Sequence, residues 1–383
     1  MKKIISVLIV FAVFFSFFGF SSYALGDVSA QAAVLYCVNS GEVLYSKNPD
    51  QKLSMASTTK IMTSLLALEH PSPDSEIMVT QEMVNVEGTS MGLLAGDSVS
   101  LRELVYGMLL QSGNDAANAV ACVVGGSVEN FSAMMNERAE KIGMTNTNFV
   151  TPSGLDDENH YSTAYDMALL AAECIGNSEF AYICSQKRAS LTYGNPPYLR
   201  TLKNHNKLLW MYEDSVGIKT GFTKKSGRCL VSAAERNGIT LVAVTLKAPD
   251  DWNDHIAMLE YGFSKCKATE ITCNLDNVRL AVAGGNKDCV FVRLTDSVSW
   301  IAGRNAEVRI FLPRFVYAPL REGETVGKAV FVSDGKVIGE SRIVTTEDVE
   351  FKTLPQTNQK DKTEIFSLFF EKISSFFRSS EVK

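Results

Sequence analysis

Apolar positions near the start of the chain alternate between strand-like and helix-like spacing. The runs Ala33–Val38 and Glu42–Ser46 flank a turn at residues 39–41, and this pattern predicts a β-hairpin. A longer apolar segment from Ser57 to Glu69 predicts a helix, and a mainly helical region continues to about Gly176. Within that region, segments rich in Leu, Ala and Val predict helices at Leu101–Leu110 and Ala116–Val124.

Short apolar runs return after the helical region and predict further strands and a closing helix. The strands are predicted at Ser215–Thr220, Cys229–Ala234 and Leu241–Leu246, and the helix at Trp252–Phe263. Strands, then helices, then strands are typical of a sheet that packs on helices inserted between its strands. The sequence therefore predicts an α+β domain with a mixed sheet and a helical insertion.

Short strands that alternate with turns predict a small all-β domain from about Ala268 to Lys352, with a strong hairpin signal at Asp334-Gly335. A polar stretch, Pro355–Lys362, follows, and apolar residues then recur at helical spacing from Ile365 to Phe377. This last segment is too short to span a bilayer, so it predicts an amphipathic helix lying in a membrane interface. A terminal helix packed on the β domain is the alternative.

The N-terminus has the pattern of a secretory signal. Lys2 and Lys3 precede an apolar run from Ile4 to Phe20, and small residues lead to a predicted cleavage after Ala24. An uncleaved membrane anchor is the alternative. The sequence thus predicts an exported protein at the outer face of the cytoplasmic membrane, with part of it secreted. Its predicted regions are a signal peptide (1–24), an α+β domain (25–266), a β domain (267–353), and a linker with a membrane-associating helix (354–383).

Composition limits the classes of partner. The 383 residues carry a net charge of -6, which gives no electrostatic reason to expect nucleic-acid binding. No Cys or His spacing of the zinc type occurs, and neither a metal nor an organic cofactor is predicted. Export permits disulfides, but most of the eight cysteines lie in apolar sequence, which favours buried free thiols. The sequence leaves open whether Cys266 and Cys273 pair.

The tetrapeptide Ser57-Thr58-Thr59-Lys60 opens the first predicted helix. A spacing of three places Ser57 and Lys60 on one helical face, where a neutral Lys can take the proton of the serine hydroxyl. Burial and a neighbouring cation lower the pKa of a Lys and so favour that neutral form. Taken alone, however, Ser57 is better explained as a helix N-cap.

Two tripeptides supply further polar groups. Ser112-Gly113-Asn114 offers a hydroxyl and an amide that can relay a proton and hold a substrate carbonyl, although a plain interhelical turn also explains it. Lys219-Thr220-Gly221 ends a predicted strand, where Lys and Thr can meet a carboxylate and Gly leaves room for a substrate backbone. An exposed strand end with a turn Gly is the alternative there.

The three motifs, in this order, resemble those of the penicillin-binding and serine β-lactamase superfamily. Over about Ala30 to Phe263 the chain is more similar still to the low-molecular-mass D-alanyl-D-alanine carboxypeptidases of peptidase family S11. The β domain and the amphipathic helix that follow match the architecture of that family too. The similar segments are Met55–Lys60, Ser112–Ala117, Pro152–Leu155, Ser162–Ala164, Asp166–Ala168, Asn204–Asn206, Leu208–Trp210 and Lys219–Thr223.

The resemblance implies a serine carboxypeptidase that removes the terminal D-alanine from peptidoglycan stem pentapeptides and is inhibited by β-lactams. Ser57 would attack the carbonyl between the two D-alanines, and Lys60 would be the general base. Ser112 and Lys219 would help to deliver a proton to the leaving amine. An acyl-enzyme on Ser57 would then be hydrolysed by water.

The same resemblance implies substrate-binding roles for Asn114, Lys219, Thr220, Gly221 and Phe222. Asn114 would bind the substrate amide, and the backbone N–H groups of Ser57 and Phe222 would form the oxyanion hole. Thr220 and Lys219 would hold the carboxylate of the leaving D-alanine. Some relatives carry an Arg where this chain has His205, which puts the strength of carboxylate binding in question and makes Arg228 a candidate substitute.

The sequence only partly distinguishes a carboxypeptidase from other enzymes with the same fold. The motifs do not distinguish a carboxypeptidase from a D,D-endopeptidase or a transpeptidase. A class A serine β-lactamase would need Asp at the position of Gly113 and a Glu-x-x-Leu-Asn motif, which does not occur between Ser112 and Lys219. The sequence therefore predicts a β-lactam adduct that clears slowly. The intact motifs also argue against a non-catalytic wall-binding module.

Overall fold

The computed structural model describes residues 25–266, 268–301, 306–333, 335–353 and 367–372. The chain divides into two compact units, one of residues 1–269 and 299–303 and the other of residues 270–298 and 304–383. The first unit contains the predicted α+β region and the second contains the predicted β region. The predicted signal peptide lies outside the described residues, as does most of the segment 354–383.

The strands of the first unit are β1 (Ala32–Cys37), β2 (Glu42–Lys47), β3 (Glu76–Met78), β4 (Ser98–Ser100), β5 (Arg188–Gly194), β6 (Pro197–Lys203), β7 (Ser215–Thr223), β8 (Gly227–Arg236) and β9 (Ile239–Leu246). Among the described residues, five of them form the main sheet in the order β2-β1-β9-β8-β7. Every pairing in this sheet is antiparallel. The prediction of a mixed sheet was therefore wrong in this detail, because short turns join β1 to β2, β7 to β8 and β8 to β9, and such turns connect only antiparallel neighbours.

Strand β1 is buried along its whole length. Its alternate side chains enter two different hydrophobic cores, with Ala32, Val34 and Tyr36 on one face and Ala33, Leu35 and Cys37 on the other. A strand covered on both faces has no solvent side and so reads as a continuous apolar run. The two cores hold the sheet between the helical region and a closing helix.

The helices of the first unit are α1 (Lys60–Glu69), α2 (Gln81–Val84), α3 (Leu101–Gln111), α4 (Asn114–Gly125), α5 (Val128–Ile142), α6 (Ala164–Gly176), α7 (Ser178–Ser185), α8 (Leu208–Met211) and α9 (Asp251–Lys265). A 3-10 turn, Ala56–Thr59, leads into α1. Helix α1 packs against α3, α4 and α6, and its residues 60–67 are all buried. Burial on all sides fixes the start of α1 firmly against β7, which forms one edge of the sheet and packs on the 3-10 turn.

The strands after α9 are β10 (Ala268–Ile271), β11 (Arg279–Ala283), β12 (Cys289–Leu294), β13 (Val298–Ile301), β14 (Glu307–Phe311), β15 (Phe315–Tyr317), β16 (Thr325–Ser333) and β17 (Lys336–Thr345). Of these, β10 and β13 belong only in part to the second unit. In the described part of the unit, six of them form one sheet in the order β14-β16-β17-β12-β11-β15. The hairpin predicted at Asp334-Gly335 joins β16 to β17, with Ser333 opposite Lys336 and Gly335 at a φ of 77°. The fold class and the all-β character of this region are confirmed.

The predicted helices and strands of the first unit all form, but two strand pairs were not predicted. The short pair β3–β4 lies within the region predicted to be mainly helical. Strands β5 and β6 pair with each other outside the main sheet. Most of their side chains are exposed or half-buried, and so they lack the apolar alternation that marks a strand with one buried face. Sequence patterns driven by burial do not detect such an element.

The structure can be compared with two further predictions, on the cysteines and on the C-terminal helix. All eight cysteines are free thiols, as the apolar sequence around most of them suggested, and Cys266 and Cys273 do not pair. Residues 367–372 of the predicted C-terminal helix are helical and exposed, while the rest of Ile365–Phe377 lies outside the described residues. No helix in the described parts of the chain is both long enough and apolar enough to cross a membrane.

Candidate active site

Ser57 lies in the 3-10 turn that precedes α1. Residues three apart eclipse in such a turn, and this stacks Lys60 beside Ser57 with Lys60 Nζ 2.9 Å from Ser57 Oγ. The N-cap of the turn is Met55, and no side chain caps it. Ser57 therefore does not act as the helix cap that its sequence context alone favoured, and its hydroxyl bonds to Lys60 instead.

Lys60 is fully buried, and three oxygen atoms surround its amine. Nζ donates to Ser57 Oγ at 2.9 Å, to Asn114 Oδ1 at 2.7 Å and to the carbonyl of Ser153 at 2.7 Å. Burial, together with the charge of Lys219, holds the pKa of Lys60 well below its usual value, while Asp115 acts in the opposite direction. A depressed pKa increases the fraction of the neutral amine, and the neutral amine can accept the Ser57 proton.

A tight connection between α3 and α4 carries the second motif. Ser112 ends α3 in the left-handed conformation, with a φ of 64°, and Asn114 begins α4. This turn brings Asn114 to Lys60 and Ser112 Oγ within 3.1 Å of Lys219 Nζ. The interhelical turn that the sequence allowed is thus present, and it also delivers two polar groups to the site.

Asn114 is buried, and both ends of its amide have partners in the protein. Oδ1 accepts from Lys60 Nζ at 2.7 Å, and Nδ2 donates to the carbonyl of Glu87 at 2.6 Å. The amide nitrogen has a second hydrogen, so one donor remains for a substrate carbonyl. The main effect of these hydrogen bonds is that Asn114 holds the amine of Lys60 in position.

Lys219 lies on β7 and is 1% exposed. Its Nζ donates to Ser112 Oγ at 3.1 Å and to the carbonyl of Thr220 at 2.7 Å. Burial lowers the pKa of Lys219 to about 7. The side chain therefore exchanges a proton readily at neutral pH, and Ser112 lies within hydrogen-bond distance to relay it.

Gly221 lets β7 approach the 3-10 turn closely. A Cβ at this position would lie 3.0 Å from the carbonyl oxygen of Met55 and 3.1 Å from the backbone nitrogens of Ser57 and Thr58. Such contacts are tighter than ordinary van der Waals distances, so only glycine keeps this spacing. The backbone of Phe222, the next residue, consequently lies beside the backbone of Ser57, as an oxyanion hole built from their N–H groups requires.

An open cleft of about 290 Å³ contains Ser57. It brings together residues from all three sequence motifs, and Phe222 is 66% exposed at its rim. The lining residues are Ser57, Thr89, Ser112, His205, Lys207, Thr220, Gly221, Phe222, Arg228, Asp251 and Trp252. Lys60, Asn114 and Lys219 are buried and hydrogen-bonded to one another or to these residues.

Both residues that the sequence left in question for carboxylate binding line this cleft. Arg228 lies opposite Phe222 across the β7–β8 pair, and its guanidinium bonds Asp251 with Nη2–Oδ1 2.7 Å and Nε–Oδ1 3.0 Å. The pKa of His205 is lowered by burial and by the charges of Lys219 and Lys203. His205 is therefore neutral at neutral pH, and Arg228 carries the permanent charge.

The sequence analysis missed a buried network behind Ser57. His160 Nδ1 accepts from the Val150 N–H at 2.9 Å, and Nε2 lies 2.8 Å from Thr59 Oγ1. Burial lowers the pKa of His160 to about 4, so the ring is neutral and Nε2–H donates to Thr59. Thr59 Oγ1 in turn donates to the Ala56 carbonyl at 2.8 Å. This chain braces the turn that carries the nucleophile.

A second missed residue is Asp115, the neighbour of Asn114. Its buried carboxylate accepts from the N–H groups of Met91, Gly92 and Leu93 at 2.9–3.1 Å and from Ser90 Oγ at 2.5 Å. The loop before Met91 contains Thr89, which lines the cleft. Asp115 therefore shapes one wall of the cleft. The sequence could have pointed to Asp115 because it lies in the family-like segment Ser112–Ala117. An Asp by itself, however, does not indicate what it binds.

In the described residues no group of three or more His, Cys, Asp or Glu side chains is arranged to hold a metal ion. Hydrogen bonds in the site pair two hydroxyls with two lysines, Ser57 with Lys60 and Ser112 with Lys219. The site contains the Ser57–Lys60 pair, the Ser112–Lys219 pair and the edge of β7 beside Ser57. This arrangement suits acyl transfer through a covalent serine intermediate.

Comparison with known proteins supports this interpretation. Residues 20–250 match the profile of D-alanyl-D-alanine carboxypeptidases. The chain belongs to the D-alanyl-D-alanine carboxypeptidase family. Residues 280–351 match a second profile, the C-terminal domain of penicillin-binding protein 5. The resemblance drawn from the three motifs is thereby confirmed, and so is the family assignment of the β region.

Individual members of the family are similar along most of the chain. The D-alanyl-D-alanine carboxypeptidase DacF of Bacillus subtilis is 29% identical over 91% of this chain and 95% of its own length. DacC of Escherichia coli, which carries the same enzyme name, is 35% identical over 85% of each protein. The crystal structure of penicillin binding protein 5 from Haemophilus influenzae aligns with a TM-score of 0.60 and 30% identity over 85% of this chain and 99% of that chain.

Proposed function

We propose that this protein is a serine D-alanyl-D-alanine carboxypeptidase that removes the terminal D-alanine from peptidoglycan stem pentapeptides. The observation that carries the proposal is the Ser57–Lys60 pair, whose Oγ and Nζ lie 2.9 Å apart with the lysine fully buried. Membership of the D-alanyl-D-alanine carboxypeptidase family supports the same substrate. The activity needs no cofactor, because the two lysines supply and receive the protons.

Acylation begins at Ser57. Neutral Lys60 takes the hydroxyl proton while Oγ attacks the carbonyl between the two D-alanines. The backbone N–H groups of Ser57 and Phe222 stabilise the negative charge on the carbonyl oxygen, since the close approach at Gly221 brings their backbones together. Asn114 keeps Lys60 in place throughout this step through the 2.7 Å bond to Nζ.

Departure of the leaving D-alanine requires a proton on its amine. Protonated Lys219, with a pKa of about 7, passes a proton through Ser112 Oγ, which lies 3.1 Å away. The free carboxylate of the leaving residue is bound by the Thr220 hydroxyl and by Arg228, a guanidinium that lines the cleft beside its ion-pair partner Asp251. Water then hydrolyses the ester on Ser57 and completes the cycle.

β-Lactams acylate the same serine. The chain lacks a Glu-x-x-Leu-Asn water activator between Ser112 and Lys219, and so the penicilloyl ester persists rather than turning over quickly. This separates the proposed carboxypeptidase from a serine β-lactamase. Fast multiple turnover of a chromogenic cephalosporin by the pure protein contradicts the assignment.

Mass spectrometry of a muropeptide pentapeptide tests the proposal directly. The wild type releases one D-alanine per peptide and labels with fluorescent penicillin. Ser57→Ala does neither, while Ser264→Ala, which removes an exposed serine hydroxyl on α9, retains both activities. Normal thermal unfolding of Ser57→Ala shows that the loss is chemical. Pentapeptide left intact by the wild type contradicts the proposed function.

We further propose that the protein is exported and acts at the outer face of the cytoplasmic membrane. The N-terminal pattern, Lys2 and Lys3 followed by an apolar run and Ala24, supports export. The segment Ile365–Phe377 supports attachment, because its apolar residues recur at helical spacing. Within it Leu368, Phe369 and Phe370 are helical and about 60% exposed. The substrate, a wall peptide, lies on that side of the membrane.

A further inference from the structure

The segment between Glu179 and Glu213 is basic, although the chain as a whole is acidic. It contains no Asp or Glu, whereas the chain has a net charge of -6. The segment includes the hairpin β5–β6 and the short helix α8. Its basic side chains are Lys187, Arg188, Arg200, Lys203 and Lys207. The proposed carboxypeptidase reaction uses none of them.

One side of the hairpin packs on a hydrophobic core of the first unit. Tyr193 and Leu202 are buried in that core. Side chains alternate across a strand, so Arg200 lies on the same side as Leu202. There the Arg200 guanidinium forms an ion pair with Asp97, with Nη2 3.3 Å from Oδ2. On the packed side, therefore, the one base has its counter-charge within the protein.

The outer side of the hairpin carries two bases directly opposite each other. Arg188 pairs with Lys203 in the register of the strands, and both are exposed. The next pair on this side is Ser190 and Thr201, whose hydroxyl oxygens lie 3.3 Å apart. Like charges directly opposite each other destabilise a strand pair. An anion bound between Arg188 and Lys203 would remove that repulsion.

A further base, Lys207, lies just beyond the end of β6. Along residues 203–207 exposed side chains alternate with two buried asparagines. Asn204 Oδ1 accepts from the Asn206 N–H at 2.9 Å, and Asn206 Oδ1 accepts from the Leu208 N–H at 3.1 Å. These bonds fix the backbone. They hold the exposed side chain of Lys207 on the same side as that of Lys203.

We call Arg188, Lys203 and Lys207 the basic face. Within the described residues none of the three forms an ion pair, in contrast to the base on the packed side. Lys203 and Lys207 line a cavity of about 570 Å³. Trp210 and Met211 line the same cavity and are 45% and 52% exposed, and Lys203 Nζ lies 5.9 Å from the centre of the Trp210 ring. The unpaired cations thus lie beside exposed apolar surface.

These features narrow the choice of ligand. The cavity has the volume of a site for an organic ligand, so a single inorganic anion would not fill it. The Arg188–Lys203 pair and Lys207 are separate cationic points, which suit a ligand with more than one anionic group. Exposed Trp210 suits carbon-bearing units between those groups. A flat bilayer would not enter the cavity, and the hydroxyl pair beside Arg188 and Lys203 suits a hydrated polymer.

We propose that the basic face binds an anionic polymer in which phosphate groups alternate with polyol or sugar units. Arg188 and Lys203 would share one phosphate, and the hydroxyl pair beside them would donate to its oxygens. Lys207 would meet the next phosphate, with the carbon unit between them on Trp210. The rest of this acidic chain repels such a polymer, so the basic face also orients the protein on it. The inference does not depend on the proposed reaction.

Binding of a fluorescently labelled poly(glycerol phosphate) oligomer to the full-length protein tests the proposal, with Kd measured by fluorescence anisotropy. The variants are Lys203→Glu and Arg188→Glu/Lys203→Glu. The control is Lys224→Glu/Lys225→Glu, which changes two neighbouring exposed lysines after β7 and shifts the net charge equally. Vesicles of phosphatidylglycerol present the same glycerol phosphate chemistry on a bilayer and are tested in parallel.

We expect the wild type to bind the oligomer, and added salt to weaken binding by screening the charges. Kd should rise about tenfold in Lys203→Glu and about a hundredfold in the double variant, since each change removes a charge-assisted contact. The control should bind as the wild type does. Lys203→Glu also replaces a like-charged strand pair by an opposite-charged one. Its midpoint of thermal unfolding should therefore not fall, which separates weaker binding from misfolding.

Three results overturn the inference. The first is a wild type that does not bind the oligomer, and binding to the vesicles alone would then assign the basic face to a membrane. The second is an equal Kd in the wild type and in Arg188→Glu/Lys203→Glu. The third is a control variant that loses as much affinity as this double variant, because binding would then depend on net charge and not on the basic face.

Discussion

The amine of Lys60 lies 2.9 Å from the hydroxyl of Ser57, and the two side chains are stacked by one 3-10 turn. The turn is fixed by α1, which is buried on all sides, and by the contact with β7. Lys60 also bonds to Asn114 and to the Ser153 carbonyl, so its position does not depend on the serine. A base that is held in this way is ready before the substrate arrives.

Replacing this base should slow acylation without unfolding the protein. Lys60→Met removes the amine that receives the Ser57 proton, and we expect the rate of acylation by fluorescent penicillin to fall about a hundred- to ten-thousand-fold. Stopped-flow fluorescence measures this rate. Lys224→Met, an exposed lysine variant, should acylate at the wild-type rate. Acylation of Lys60→Met within a few-fold of the wild type would show that another group is the base.

Burial of Lys219 should make stability depend on pH. Its pKa is about 7 in the folded protein against a usual value of 10.5, so the unfolded chain binds more protons between those pH values. Stability therefore rises with pH across this window, and the cost of the buried lysine is fully present below pH 7. Between pH 7 and 9 the wild type should gain on the order of 2 kcal/mol more unfolding free energy than Lys219→Met.

Urea unfolding at pH 7 and pH 9 measures this difference. Titrating groups that do not interact with Lys219 are common to both proteins and cancel in the comparison, whereas Lys60 and His205, whose pKa values the charge of Lys219 lowers, contribute to the measured difference. An equal change in the wild type and in Lys219→Met means that Lys219 keeps an ordinary pKa. In that case Lys219 stays protonated throughout the neutral range and cannot exchange a proton with Ser112 as described above.

The close approach at Gly221 should be essential for catalysis. In Gly221→Ala the new Cβ would lie 3.0 Å from the Met55 carbonyl oxygen and 3.1 Å from the Ser57 nitrogen, which forces β7 away from the turn. Because the oxyanion hole then widens, we expect kcat for D-alanine release to fall about a hundred-fold. The control is Gly176→Ala, where a Cβ meets no atom within 4 Å. Wild-type kcat in Gly221→Ala would disprove this geometry.

Arg228 should hold the carboxylate of the substrate. Arg228→Gln removes the permanent charge in the cleft, and KM for the pentapeptide should rise about tenfold while kcat changes little. Steady-state D-alanine release measures both constants. The variant also leaves the carboxylate of Asp251 without its partner, so Arg228→Gln/Asp251→Asn should restore stability but not KM. An unchanged KM would leave Thr220 as the main donor to the carboxylate.

The C-terminal segment should hold the protein at the membrane. Deletion from Ile365 onward should release the protein into the soluble fraction while penicillin labelling remains, since no catalytic group lies there. Leu368→Asp in the full-length chain should weaken binding to vesicles of anionic phospholipid, because its exposed side chain would enter the interface. Unchanged fractionation of the truncated protein would reject attachment through this segment.

The family and the nucleophile could be predicted from the sequence because local patterns specify them. Ser57 and Lys60 are three residues apart, so any helical turn brings them together. Gly113 signalled a tight turn, which occurs. Gly221 was expected to leave room for a substrate backbone, and in the structure it also lets β7 approach the 3-10 turn. The strands of the main sheet were predicted because burial leaves apolar runs, whereas the exposed hairpin β5–β6 left no such mark.

The tertiary structure decided the contacts between motifs. Ser112 and Lys219 are 107 residues apart, and only the packing of α3 against the sheet brings Oγ and Nζ to 3.1 Å. The Ser153 carbonyl, His160 and Asp115 acquire their roles through the same packing, since a carbonyl or a buried polar side chain has no signature of its own in sequence.

By itself, then, the sequence predicted which residues would carry the chemistry and in which element each one lies. Only the tertiary structure decided the pKa values of these residues and which side chains line the cleft. The pKa values of Lys60 and Lys219 are lowered because the fold buries both amines. How deeply a side chain is buried, and which distant residues it meets, depend on distances in the folded protein. The spacing of residues along the chain does not specify those distances.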